Sequence, residues 1–247
     1  MAPLKSRAGR FRHLRIAHDV APDDDDVAFG IQVFESYDQL SWCLPHLRGH
    51  YPSSRVMIIA DGDGVNYRSL AKKWNCEYVV GEHLMRLESG HRYARRLLGC
   101  LLSGPERYLF RLDPDALVWR RFTSLPRFSC MFGTIETLSE AHLDEVRFPP
   151  NLQGGCIGLT RDVASEILGS RLLTKRNCSV APESTWARCR DMQMTVNRGA
   201  VSDDFLLTWA AGELGIPIVD SPEIRSRWRR TPSNDNRRYA VTHPHKV

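Results

Sequence analysis

The chain has 247 residues, of which 42% are hydrophobic and 26% charged, with a formal net charge of +5. That length suits one large α/β domain and buries a core without help from disulfides or metals. Five of the 34 basic residues (Lys5, Arg7, Arg10, Arg12 and Arg15) fall in the first fifteen positions, and the other 29 balance 29 acids, so the neutral body argues against a nucleic-acid binder.

Seven cysteines (Cys43, Cys76, Cys100, Cys130, Cys156, Cys178 and Cys189) are scattered, with no Cys-x-x-Cys pair. That pattern is neither a disulfide framework nor a zinc site, and it points to a reducing, cytoplasmic setting. No apolar region follows the basic start, and no run of 18 apolar residues occurs, so neither a secretory signal nor a membrane span is expected. Residues 1–26 read as a flexible basic tail ending in the acidic run Asp23–Asp26, where like charges favour exposure to solvent.

From Val27 the pattern alternates. Val27–Phe34 is an apolar run suited to a buried strand, and Gln39–His50 places Leu40, Cys43, Leu44 and Leu47 at helical spacing before Pro52. Arg55–Ala60 predicts a second strand, closed by the turn-forming Asp61-Gly62-Asp63-Gly64. A short helix over Tyr67–Trp74, a strand over Cys76–Val80 and a helix over His91–Leu102 follow. Arg107–Leu112 is a fourth strand that runs directly into Asp113-Pro114-Asp115. This succession predicts a mostly parallel central sheet with helices on both faces. The second half is less regular: strands are expected over Arg127–Thr134, Leu152–Leu159 and Ile216–Asp220, and helices over Arg161–Leu168 and Asp203–Leu214. Residues 171–200 read as a surface loop.

The chemistry centres on Asp113 and Asp115. Ligands of open α/β sheets bind beyond the carboxyl ends of strands, and Pro114 bends the chain so that both carboxylates can face one cation. Oxygen ligands of this kind suit magnesium or manganese, which in turn bridge phosphates. The chain closes with Thr242-His243-Pro244-His245-Lys246-Val247. His243 or His245 offers a nitrogen ligand, and Lys246 a point charge for phosphate. Taken singly, each feature also has a structural account: Asp-x-Asp as a strand-end turn, the histidines as a tail.

Together, RYLFRLDPDALVWRRF with the strands and turns before it resembles the GT-A type of glycosyltransferase over roughly residues 27–247. The resemblance implies a single GT-A-like (Rossmann-like) domain, with residues 27–120 as the nucleotide-binding half and 121–247 as a less regular acceptor half. It implies a metal site at Asp113, Asp115 and His243 (or His245), holding Mn2+ or Mg2+. The donor would be a nucleotide sugar, a UDP-sugar by default, and the acceptor is unspecified. Around the donor it implies Phe34, Glu35 and Asp38 after the first strand, Asp61 after the second, Arg95 on the helix before the motif, and Arg111 and Asp113. Gly154 and Gly155 would lie beneath the donor sugar, with Lys246 on the diphosphate. Asp203 and Asp204 open a helix where acids also favour the dipole; the resemblance makes Asp204, ahead of Asp203, the general base of an inverting enzyme, or the acid that orients the donor sugar in a retaining one. Arg225, Arg227, Arg229 and Arg230 with Trp228 form a basic, aromatic segment suited to a lid, an exposed loop or an RNA contact.

A sugar nucleotidyltransferase shares these requirements, but Phe34-Glu35-Ser36-Tyr37-Asp38 lacks the glycine and basic residues expected after its first strand. A non-catalytic nucleotide-sugar-binding relative is the further alternative.

Overall fold

Apolar runs and amphipathic stripes settle into ten strands and six α-helices among the residues that the computed structural model describes, 21–84, 89–136, 151–178, 203–226 and 237–243. In chain order these are β1 (Val27–Val33), α1 (Tyr37–His50), β2 (Arg55–Asp61), α2 (Arg68–Lys73), β3 (Glu77–Gly81), α3 (Gly90–Leu101), β4 (Tyr108–Leu112), β5 (Leu117–Val118), β6 (Met131–Glu136), β7 (Asn151–Thr160), α4 (Arg161–Gly169), α5 (Lys175–Cys178), α6 (Asp203–Glu213), β8 (Ile218–Asp220), β9 (Ile224–Ser226) and β10 (Val241–His243). Seven strands make one sheet in the order β3-β2-β1-β4-β7-β6-β8. All run parallel except β7, which is antiparallel to both β4 and β6. The fold is therefore the mixed α/β, mostly parallel architecture expected from the alternating pattern.

Alternation along the strands assigns the two faces. Phe29, Ile31, Ile58, Phe110 and Phe132 pack with the stripe Leu40, Cys43, Leu44 and Leu47 of α1. Ala28, Met57, Ile59, Leu109 and Ile157 pack with Ala94, Leu97, Leu98 and Leu101 of α3 and with α4 and α6 on the other side. Every residue of β1 is buried, because a strand covered on both faces has no solvated side. Each fully buried leucine here contributes about 2–3 kcal/mol through apolar area removed from water. Pro45 lies inside α1; it has no N–H, so the carbonyl of Ser41 loses its helical donor.

Two details differ from the sequence expectation. Asp24 is not part of a uniformly solvated run: its carboxylate accepts from the Ser53 amide and hydroxyl, each at 2.8 Å, and pairs with Arg121. The predicted loop 171–200 contains the short helix α5, and residues 179–200 lie outside the described residues. Among the described residues, no helix is long and apolar enough to cross a membrane.

Strand order reverses at β1, which has β2 on one side and β4 on the other. Such a switch point leaves a crevice beyond the carboxyl ends of the two strands, and Phe34 and Asp113 are the residues that follow those ends.

Candidate metal centre

Three short strands that carry no periodic signal build this site. β5, β10 and β9 form a second sheet, with β10 antiparallel to β5 and parallel to β9. Thr242 pairs with Leu117, two residues past Asp115, and this register delivers His243 to the turn. Trp119 secures the delivery: its indole donates to the Thr242 hydroxyl at 2.7 Å, and its amide to the Ala240 carbonyl at 2.8 Å. The turn itself is closed by the Ala116 amide donating to the Asp113 carbonyl at 3.0 Å, and Asp113 N–H donates to the Gly155 carbonyl of β7, also at 3.0 Å.

Asp113, Asp115 and His243 each offer a ligand atom, all within 4.8 Å of one another. His243 Nε2 stands 3.1 Å from Asp115 Oδ1 and 3.5 Å from Asp113 Oδ2. Ligands on one magnesium- or manganese-sized ion lie about 3.0 Å apart when adjacent and at most about 4.4 Å when opposite. The spacing of the cluster is thus compatible with one divalent cation. On the far side of the imidazole, Nδ1 is 3.1 Å from Ser226 Oγ. With Nδ1–H donating to that hydroxyl, the imidazole is held so that the Nε2 lone pair faces the carboxylates, as in histidines that ligate metals. Ser226 is itself fixed, its amide donating to Thr134 Oγ1 at 2.8 Å.

Two glycines admit this packing. A Cβ on Gly155 would stand 2.1 Å from His243 Cγ and 2.3 Å from Ser226 Oγ; one on Gly154 would stand 2.5 Å from Asp204 Oδ2. The pair lies beside the metal ligands because the antiparallel β7 carries its start past the end of β4, with Cys156 opposite Leu112.

Arg111 joins the centre to α6. Its Nη1 lies 2.9 Å from Asp113 Oδ1 and its Nε 2.7 Å from Asp203 Oδ2. Asp203 is fully enclosed, whereas Asp204 keeps 8% exposure. Asp113 and Asp203 thus share one guanidinium while Asp115 faces His243, a concentration of negative charge that a divalent cation would offset. Beneath them, burial pushes the thiols of Cys43 and Cys156 far up, with Asp115 adding to the effect on Cys43 and Asp113 on Cys156. Both thiols stay protonated in the folded protein.

The remaining donor candidates form a neighbouring group. Asp61, at the end of β2, accepts from Arg96 at 2.7 Å and from the Leu84 amide at 2.8 Å through Oδ1, and Oδ2 lies 3.4 Å from His83 Nδ1. The His83 ring stacks on Phe34 at 4.7 Å, leaving Phe34 48% exposed at the mouth of the crevice. Glu35 follows with φ of 49°, a left-handed conformation costly for a residue with a Cβ. Glu35 and Asp38 are exposed. Arg96 rather than Arg95 faces Asp61; Arg95 lies exposed on α3.

His245, Lys246, Arg227, Trp228, Arg229, Arg230 and residues 1–20 of the tail lie outside the described residues. Sequence reasoning missed Ser226, Thr134 and His83. Ser226 sits in a three-residue strand within an arginine-rich stretch, and nothing in that pattern marks it. No protein-family model matches the chain, and no curated protein aligns significantly with it, so the geometry of the site is what carries its chemistry.

Proposed function

We propose that the protein is a metal-dependent glycosyltransferase. It takes a nucleoside-diphosphate sugar, a UDP-sugar by default, and moves the sugar to an acceptor hydroxyl with Mn2+ or Mg2+ as cofactor. The observation that carries this reading is the meeting of Asp113, Asp115 and His243 at the carboxyl end of β4, beside the switch point of the sheet. A cation bound there supplies positive charge to the departing diphosphate. The Phe34–His83 stack with Asp61 and Arg96 supports a nucleoside on the β1–β2 side.

In this reading Asp113, Asp115 and His243 hold the cation, and Ser226 fixes the imidazole. Gly154 makes room for Asp204, and Gly155 for the His243–Ser226 pair, beneath the place that the resemblance gives to the sugar. The acceptor oxygen forms a bond to the anomeric carbon while the bond from that carbon to the β-phosphate oxygen breaks. The electron pair leaves with the nucleoside diphosphate, and the hydroxyl proton passes to Asp204. Asp203, enclosed and bound to Arg111, holds Arg111 against Asp113 instead.

The test is release of nucleoside diphosphate from a panel of sugar donors, with manganese or with chelator. Release requires metal and falls at least about a hundredfold in Asp204→Asn, the usual contribution of a general base, while donor affinity is kept. Metal-independent release, or release unchanged in Asp204→Asn, contradicts the assignment.

A further inference from the structure

Most partly buried arginines among the described residues come with a carboxylate, and Arg48 and Arg161 instead donate to backbone carbonyls. Arg55 meets Glu77 and Glu106, Arg96 meets Asp61, Arg111 meets Asp113 and Asp203, Arg120 meets Glu223, and Arg121 meets Asp24. Arg225 of β9 shows neither kind of partner among the described residues. It is half-buried, it meets no carboxylate among the described residues, and its Nε is enclosed with no hydrogen-bond acceptor. Its guanidinium lies 5.9 Å from the centre of the Tyr239 ring, and that of Arg238 lies 4.8 Å from the same ring. Enclosing part of a guanidinium without an anion is costly, and a second cation on the same ring raises the cost.

Both arginines line a cleft of about 440 Å3, together with Thr134, Asp220, Ser221 and Tyr239. Its volume is in the range of small-molecule sites. It shares a wall with the metal centre, since Thr134 bonds to Ser226, but Arg225 precedes Ser226 in an extended strand, so the two side chains point to opposite faces.

We propose that this cleft binds a small molecule through an oxyanion, phosphoryl or carboxylate, which pairs with Arg225 and lies beside Tyr239. A planar guanidinium grips either group with two parallel hydrogen bonds. The remaining volume accommodates the body of the ligand. The site needs no metal and stands apart from the glycosyl-transfer reading.

The experiment titrates inorganic phosphate, and separately succinate, into the full-length protein in the presence of chelator, followed by calorimetry. At least one probe binds saturably, and which one does separates phosphoryl from carboxylate ligands. Arg225→Lys weakens that binding by at least about tenfold, because lysine cannot reproduce the two-pronged contact. Asp220→Asn tightens it several-fold by removing a like charge while keeping the oxygen that accepts from the Ile135 amide. The exposed Arg171→Lys leaves it unchanged. Absence of saturable binding by either probe, binding seen only with manganese, or binding indifferent to both Arg225→Lys and Asp220→Asn overturns the proposal. Because Asp220→Asn predicts a gain, loss of folding cannot imitate it.

Discussion

Replacing Gly155 by alanine tests how the metal centre is held. The added methyl carbon would lie 2.1 Å from His243 Cγ, 2.2 Å from Nδ1 and 2.3 Å from Ser226 Oγ. Carbon contacts settle near about 3.5 Å, so the imidazole must withdraw by more than about an ångström. It can do so, because β10 is a three-residue strand in a small sheet. That retreat takes Nε2, now 3.1 and 3.5 Å from the two carboxylates, out of reach of a shared ion. Loss of outer-shell support alone weakens metal sites about 10–100-fold, so displacing a ligand should cost at least about a hundredfold in manganese affinity. Overpacking should cost about 1–3 kcal/mol in stability. The assay is a manganese titration followed by the paramagnetic signal of the free ion, alongside thermal unfolding. Gly99→Ala is the control: nothing lies within 4 Å of a Cβ there, and alanine inside α3 should stabilise by up to about 1 kcal/mol with manganese affinity unchanged. Unchanged manganese affinity in Gly155→Ala would refute the reasoning.

Other consequences follow from buried charge. Arg111→Met leaves the enclosed carboxylate of Asp203 without its 2.7 Å partner and should cost about 3–5 kcal/mol in urea unfolding; adding Asp203→Asn should recover part of it, and a cost below about 1 kcal/mol would contradict the pairing. Burial pushes the Asp24 carboxyl up, but the Ser53 and Arg121 contacts outweigh it and hold its pKa below the ordinary 3.8. Its contribution is thus present above pH 3.8 and lost as pH falls through the lower folded value. Asp24→Asn should cost about 1–2 kcal/mol near neutrality, with the gap to the parent protein closing only below pH 3.8; a gap that persists to lower pH would reject the account. Burial raises the thiols of Cys43 and Cys156 and keeps them enclosed, so mass spectrometry after alkylation should find both unmodified until the protein unfolds.

The first half of the fold was legible because its elements are long and strongly patterned. The β1 run and the stripe Leu40, Cys43, Leu44 and Leu47 could hardly be read otherwise. The Asp pair was legible because a buried strand led straight into it. The antiparallel course of β7 was not, since a strand buried on both faces carries the same apolar run in either direction. Strands β5, β9 and β10 were illegible for a different reason: two or three residues are too short to show a period of two. Those strands place His243, so its proximity to Asp115 was an expectation that only tertiary structure could supply. The choice of Arg96 over Arg95 likewise depends on which side of α3 meets Asp61, and the spacing of Arg92, Arg95 and Arg96 does not disclose it.

The central claim is tested most directly by calorimetric titration of UDP into the protein with manganese, with chelator, and in Asp115→Asn. The account predicts binding in the micromolar range that requires manganese and is lost in the variant, with thermal stability retained. Binding that is indifferent to chelator and to Asp115→Asn, or no binding of any common nucleoside diphosphate, would contradict it.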